Sequence, residues 1–187
     1  MQYPFTLTLL IFLFTSCQNH DPDSKRANES VNPKYAEFKI DFPKNNFELR
    51  KRVSPSPNHT GNTINDWILE GKEGDASFVY FLTQDYIDAS ITKLSISSNT
   101  GKEAFLSGLL SSSISKFNPS NVTYKTGTYE KFNMVEARGE IIGDKQIGLV
   151  KYRAFTNGLD FFLIGVAGQN YNDSIADKFL NSFEIIN

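Results

Sequence analysis

Three consecutive segments near the C-terminal end constrain the fold of this chain more than any other feature. Met134 to Ile142, Lys145 to Thr156 and Leu159 to Ala167 have the lengths and apolar patterns of β-strands. Gly143-Asp144 separates the first two segments and Asn157-Gly158 the last two, and both dipeptides are typical of two-residue hairpin turns. The chain is therefore expected to contain an antiparallel sheet in which these three strands are adjacent.

Two-residue turns also fix the predicted register, because the residues that flank each turn lie opposite one another. Ile142 then faces Lys145, and Thr156 faces Leu159. One face of the three strands collects only apolar side chains: Val135, Ala137, Val150, Tyr152, Ala154, Phe161 and Leu163. The other face mixes charged and apolar side chains: Glu136, Arg138, Lys151, Arg153, Phe162, Ile164 and Val166. We expect the first face to line a core and the apolar part of the second to need a cover.

Further strands are predicted upstream of these three. Alternating apolar residues indicate strands at Phe38 to Phe42 and Phe47 to Val53, and two more at Trp67 to Glu70 and Ser77 to Thr83. Between Phe78 and Leu82 both alternating sets are apolar, which is typical of a strand buried on both faces. The segment from Ser54 to Asn65 is polar and contains two prolines and a glycine, so it is predicted to be a loop.

Two amphipathic helices complete the predicted fold. Thr100 to Glu103 has the pattern of a capping box, and Asn118-Pro119 ends the helix. Its apolar stripe consists of Phe105, Leu106, Leu109, Leu110, Ile114 and Phe117. A second helix starts at Ser174, with a stripe of Ile175, Ala176, Phe179, Leu180 and Phe183. An antiparallel sheet with two such helices predicts an α+β fold built as a single α/β/α sandwich, in which two main helices flank the sheet.

The N-terminal segment has the features of an export signal. Residues 1–16 carry no charged side chain, and Leu7 to Phe14 is an apolar run that only Thr8 interrupts. This run is shorter than the roughly 20 residues that a membrane-spanning helix needs, and its position fits the core of a signal peptide. Leu13 to Cys17 reads Leu-Phe-Thr-Ser-Cys, which resembles the signal of bacterial lipoproteins. That resemblance implies that the Cys17 thiol receives a diacylglycerol, carrying palmitate-type chains, and becomes the new N-terminus after cleavage.

Cys17 is the single cysteine of the 187 residues, which excludes an internal disulfide and a cysteine-based zinc cluster. An unmodified buried cysteine is the alternative to lipidation. The residues that follow, Gln18 to Pro33, are polar and lack an apolar pattern, as expected of a linker. We therefore predict a lipoprotein signal peptide at 1–16, a flexible tether at 17–34 and one folded domain at 35–187.

The predicted domain resembles the PsbP-like family, which is named for an extrinsic protein of photosystem II. The resemblance lies in Phe38 to Pro43, which reads Phe-Lys-Ile-Asp-Phe-Pro, in the hairpin between Lys145 and Ala167, and in Lys178 to Phe183, which reads Lys-Phe-Leu-Asn-Ser-Phe. It implies an antiparallel sheet flanked by helices, and many bacterial relatives are exported or lipidated proteins of unknown role. Some members bind divalent metals, but no ligand set is matched in this chain. The matching motifs occupy core and cap positions, so they imply a fold and not an activity.

Residues that could perform catalysis or hold a metal are scarce. The two histidines are His20 in the predicted tether and His59 in the predicted loop. No HExxH, His-x-His, G-x-S-x-G or glycine-rich phosphate motif occurs in the sequence. The net charge of -2 gives no electrostatic basis for binding nucleic acid. We therefore predict no catalytic residue, no metal site, no cofactor and no nucleic-acid partner.

One group of basic side chains is a candidate partner surface: Arg138, Lys151 and Arg153. The alternative is that these residues form a cross-strand ion ladder with Glu136, which the predicted register places opposite Lys151. The expected function is a non-enzymatic binding or accessory module, exported and lipid-anchored in the bacterial cell envelope at the outer membrane. It would contact the membrane through Cys17 and an envelope protein through this surface. The alternative function is a small-ligand or divalent-metal binding protein, or a hydrolase, that uses the 54–66 loop.

Overall fold

A seven-stranded antiparallel sheet forms the centre of the domain in the computed structural model, which describes residues 36–44, 46–56, 62–86, 98–142, 147–157 and 160–186. All of these residues belong to one compact unit, Asn32–Asn187. The strands of the sheet are β2 (Leu49–Pro55), β3 (Thr63–Glu73), β4 (Ala76–Tyr86), β5 (Ser120–Tyr129), β6 (Phe132–Ile142), β7 (Ile147–Thr156) and β8 (Asp160–Gly168). Their spatial order is β2-β3-β4-β8-β7-β6-β5, so that β2 and β5 are the edge strands. The predicted signal peptide, Cys17, the tether and His59 lie outside the described residues.

Two further strands form a separate antiparallel ribbon. β1 (Glu37–Lys39) pairs with β9 (Glu184–Ile186), and Glu37 lies opposite Ile186. Phe38, Ile40 and Phe42 are half-buried and alternate with exposed residues, as predicted, although only three residues of this segment form a regular strand. The ribbon packs its apolar side chains onto one face of the large sheet.

Two helices cover opposite faces of the sheet. α1 (Asn99–Ile114) packs on β6 and β7, and a 3₁₀ turn at Ser115–Phe117 follows it. α2 (Asp173–Leu180) packs on β7 and β8 from the other side. The predicted α+β class is therefore confirmed. The predicted sandwich is confirmed only in part, because α2 has eight residues and shares its face of the sheet with the β1–β9 ribbon.

Both helices begin earlier than predicted. The N-cap of α1 is Ser98, whose Oγ accepts a hydrogen bond from the Gly101 backbone N–H at 3.0 Å. The N-cap of α2 is Asn172, whose Oδ1 accepts from the Ile175 N–H at 3.1 Å. The predicted starts at Thr100 and Ser174 are thus wrong by about two residues. Several neighbouring residues can cap a helix, and tertiary packing decides which of them does.

The register predicted for the three C-terminal strands is wrong by two residues at both hairpins. Ile142 pairs with Ile147 and not with Lys145, and Thr156 pairs with Phe161 and not with Leu159. Both connections are longer than two residues. In the second hairpin the Asn157 side chain accepts from the Asp160 N–H at 2.9 Å, and this contact closes a wider loop.

The two predicted faces are nevertheless confirmed, because a shift of two residues leaves every side chain on its own side of a sheet. The apolar face packs under α1 in a core that contains these residues: Val135, Ala137, Val150, Tyr152, Ala154 and Phe161. On the mixed face, Phe162, Ile164 and Val166 are fully buried beneath α2 and the ribbon. Phe78 to Leu82 of β4 contributes alternate side chains to the two cores, which confirms a strand buried on both faces.

The predicted loop between Ser54 and Asn65 is shorter in the structure. β2 continues to Pro55 and β3 begins at Thr63, and the two strands pair along their whole length. Pro55 is tolerated because β2 is an edge strand, where a missing N–H need not interrupt the ladder. Only residues 56–62 connect the strands, and 57–61 lie outside the described part of the chain.

Candidate functional site

The three predicted partner-surface residues lie side by side on β6 and β7, along the length of α2. Each of them is paired with acidic side chains of the same chain. We call this group the Lys151 network, and it comprises Glu136, Arg138, Glu140, Lys151, Arg153, Asp173 and Asp177. It holds three cations and four carboxylates, so the basic patch expected from the strands alone is neutralised by acids.

Lys151 is the centre of the network. Its side chain is only 9% exposed, and its Nζ donates to Asp177 Oδ1 at 2.7 Å. The same Nζ lies 3.4 Å from Glu136 Oε1 and 3.5 Å from Asp173 Oδ1. A buried ammonium needs such partners, since an unpaired charge away from water is strongly unfavourable.

Arg138 and Arg153 attach the two ends of α2 to the sheet. The guanidinium of Arg138 faces Asp173 in the first turn, with Nε–Oδ1 at 3.1 Å and Nη2–Oδ2 at 3.0 Å. Arg153 donates from Nη2 to Glu136 Oε2 at 2.7 Å, and from Nη1 to the Leu180 carbonyl oxygen at 3.3 Å. Asp173 at the N-terminus of the helix and Arg153 at its C-terminus both complement the helix dipole.

The charges of the network shift one another's pKa values. A hydrogen bond from Arg138 is the largest of the effects that lower the pKa of the Asp173 carboxyl below 3.8. The same contact raises the pKa of Arg138. For Lys151 burial is the largest effect and acts to lower the pKa, but the hydrogen bond to Asp177 and the charge of Glu136 outweigh it, so that the pKa rises above 10.5. All three groups are therefore charged throughout the neutral range.

These shifts predict how the stability of the domain depends on pH. The folded pKa of Asp173 is lowered, so its contribution is present above pH 3.8 and is lost as the pH falls through the folded value. The folded pKa of Lys151 is raised, so its contribution is present below pH 10.5 and is lost as the pH rises through the folded value. Between about pH 5 and pH 9 the contributions of Asp173 and Lys151 are constant.

Urea unfolding over a pH series measures this dependence, with Asp173→Asn as the matched variant. The substitution removes the titrating group, so it should flatten the acid limb of the stability curve and change the alkaline limb less, since Lys151 keeps its contacts with Asp177 and Glu136. An acid limb that Asp173→Asn leaves as steep as before would contradict the assignment.

The pairing within the network differs from the predicted ladder. Arg153, and not Lys151, lies directly opposite Glu136, while Lys151 lies opposite Arg138. Glu136 reaches Lys151 diagonally, so the expected ion pair forms in a different geometry. The sequence reasoning missed Asp173 and Asp177. Their spacing of four residues places both carboxylates on one face of α2, which is the signal that could have identified them.

A shallow cleft of about 350 Å³ lies where the ribbon meets β2, β3 and β4. Its lining residues are Ala36, Glu37, Phe38, Lys51, Asn65, Trp67, Gln84 and Ile186. The Lys51 ammonium lies 5.0 Å from the centre of the Trp67 ring, and Gln84 Nε2 donates to the Ala36 carbonyl oxygen at 2.7 Å. The hydrogen bond from Gln84 holds the residue before the ribbon on the sheet.

The carboxylates nearest to the 54–66 segment are engaged within the fold. Asp66 forms an ion pair with Arg52 at 2.8 Å and accepts from Thr83 Oγ1 at 2.8 Å. Asp85 is buried and accepts from Ser56 Oγ at 3.3 Å and from the Tyr86 N–H at 2.8 Å. Both side chains stabilise the β2–β3–β4 end of the sheet.

Neither a metal centre nor a membrane helix is found in the part of the chain that the structure describes. In those residues no group of three or more histidine, cysteine, aspartate or glutamate side chains could hold a metal ion. No helix among them is both long enough and apolar enough to cross a bilayer.

Comparison with known proteins gives no match for this chain, whether to a family model, to a curated protein or to a solved structure. The PsbP-like resemblance therefore stays a prediction from the residues quoted above.

Proposed function

We propose that this chain is a lipid-anchored protein of the bacterial cell envelope, and that its one domain is a PsbP-like α/β/α sandwich acting as a non-enzymatic binding or accessory module. The observation that carries the proposal is the segment from Leu13 to Cys17, which ends an uncharged N-terminus and precedes a polar stretch. Within the described part of the chain, the first strand starts after this stretch, at Glu37. This order of signal, lipid site, tether and domain is that of an exported lipoprotein.

The physical basis of the anchor is the acyl chains expected on Cys17. Each buried methylene contributes about 0.8 kcal/mol, so two or more chains hold a protein stably on a bilayer. The net charge of the chain is -2, so its overall charge gives no attraction to an anionic membrane surface. A flexible tether over 17–34 spans about 20–25 Å on average, so the domain would stay close to the membrane surface.

The proposed module would contact an envelope protein at the exposed part of the Lys151 network. This part, which we call the rim, consists of Arg138 and Asp173. Arg138 is the most exposed of its three cations, and Asp173 beside it is half exposed. Lys151 and Arg153 are largely buried, so they position the rim and do not contact a partner directly. A partner at this surface would need both basic and acidic groups to complement Arg138 and Asp173.

Replacement of Cys17 tests the anchor. We expect Cys17→Ser to abolish incorporation of radiolabelled palmitate and to release the chain from the membrane fraction. Ser30→Ala, in the predicted tether, is the matched control and should leave both properties unchanged. The proposal fails if the unsubstituted chain incorporates no palmitate, or if Cys17→Ser remains as firmly membrane-bound as before.

A further inference from the structure

The two edges of the large sheet differ in chemistry. Edge strands offer unpaired backbone groups to other chains, and proteins usually protect them with charges or proline. β2 has both kinds of protection, since Arg50, Lys51 and Arg52 are consecutive and Pro55 ends the strand. This edge is therefore guarded against pairing with another strand.

β5, at the opposite edge, has less of this protection, and the bulge between Ser120 and Thr123 affects only its first residues. It contains no proline, and its single charged side chain is Lys125. Six consecutive residues, 121–126, are exposed, and they include Val122 at 37% and Tyr124 at 47% exposure. Valine, threonine and tyrosine are the residues that favour strand pairing. Within the described residues β5 pairs only with β6.

The turn that joins β5 to β6 shows which backbone groups face outward. Tyr129 lies opposite Phe132 across the two-residue turn, so these two residues exchange both backbone hydrogen bonds. Hydrogen-bonded and non-bonded pairs alternate along an antiparallel ladder, and this one is regular from Thr123 to Tyr129. The N–H and C=O groups of Tyr124, Thr126 and Thr128 therefore point away from β6.

We infer that β5 pairs antiparallel with β5 of a second copy of this chain, about a twofold axis at Tyr124 or Thr126. Both residues turn their backbone outward, as a hydrogen-bonded pair on such an axis requires. With the axis at Tyr124, Lys125 faces Thr123 of the second copy. With the axis at Thr126, Lys125 faces Gly127. Neither register places the two Lys125 side chains directly opposite each other, so the strongest like-charge contact is avoided.

The charges of the sheet edges also favour a dimer in which β5 pairs with β5. The alternative is an open-ended assembly in which β5 of one copy pairs with β2 of the next. Pairing β5 with β2 of another copy would place Lys125 against a strand that carries three cations, and like charges across a ladder are unfavourable. A cavity of about 190 Å³ flanks β5 on the α1 side, between Ile114, Pro119 and Tyr124. Side chains of the second copy can enter this cavity from the edge.

Disulfide trapping tests the pairing and reads its register. The full chain carries Cys17→Ser together with Tyr124→Cys or with Thr126→Cys, and Val53→Cys on β2, 55% exposed, is the matched control. Residues opposite each other on the axis lie about 5.5 Å apart, which suits a disulfide. Under mild oxidation of the purified chain, one β5 variant should form a covalent dimer at least tenfold faster than the control. Equal rates for all three variants would overturn the inference.

A backbone substitution supplies the second measurement. Thr126→Pro removes an outward N–H and no bond to β6, so the domain should keep its thermal unfolding midpoint within a few degrees. The dimer dissociation constant from sedimentation equilibrium should rise at least tenfold. An unsubstituted chain that sediments as a monomer would refute the pairing, as would β5 cysteines that link to another envelope protein in cells in preference to a second copy.

Discussion

Replacing Lys151 with methionine should lower the free energy of unfolding by about 3 kcal/mol. Methionine fills nearly the same volume, so the effect is that of the lost charge. Glu136, Asp173 and Asp177 would then face an apolar side chain at the position where the ammonium now lies within 3.5 Å of all three. The value is at the lower end of the range for broken buried ion pairs because water reaches the two aspartates.

Arg50→Met is the matched control for this prediction. Arg50 also forms an ion pair, with Glu70, but its side chain is 55% exposed. Exposed pairs contribute between zero and about 1 kcal/mol, so this variant should unfold nearly as the parent does. Urea unfolding at neutral pH measures both variants. Equal losses for Lys151→Met and Arg50→Met would show that burial gives the Lys151 network no special role.

Gly165→Val should destabilise the domain by about 3 kcal/mol, at the upper end of the cost of overpacking a core. Gly165 lies on the central strand β8, opposite Phe81 on one side and Tyr152 on the other. The two rings meet edge to face across it, with centroids 4.8 Å apart. A β-carbon at this position would overlap ring atoms of both residues, so the rings would have to separate.

Replacing a glycine in α1 should have the opposite effect on the stability of the domain. A β-carbon on Gly108 meets nothing within 4 Å, and the residue is exposed on the helix. Gly108→Ala should therefore stabilise the domain by up to about 1 kcal/mol through helix propensity alone. Thermal unfolding of the two variants and the parent measures the contrast. A stable Gly165→Val variant would mean that the Phe81–Tyr152 contact is easily rearranged.

Which side chains share a face could be predicted from the sequence, whereas the pairing of strands could not. Alternation has a period of two, so Val135 and Tyr152 belong to the same face in the predicted and in the observed register. The turn dipeptides did not fix the pairing, because turn propensity is local while loop length depends on the whole sheet. The structure instead closes the second hairpin through Asn157 and Asp160.

The basic side chains of the candidate site could be predicted from the sequence, but the acidic side chains that α2 contributes could not. Arg138, Lys151 and Arg153 were identified as one basic group because all three project from the same face of adjacent strands. Their neutralisation by Asp173 and Asp177 depends on where α2 lies on the sheet, which no local pattern determines. Charges on a strand therefore indicate a surface only when the element that covers them is also known.

The β1–β9 ribbon sets the order in which the domain can be completed. Glu37 pairs with Ile186, so this small sheet joins the first strand among the described residues to the last one. Such a contact spans nearly the whole domain and carries a large loop-closure entropy. The last residues must emerge before Phe38 can be held against Trp67 and Phe162. A chain that is made from its N-terminus thus keeps part of this core open until β9 has emerged.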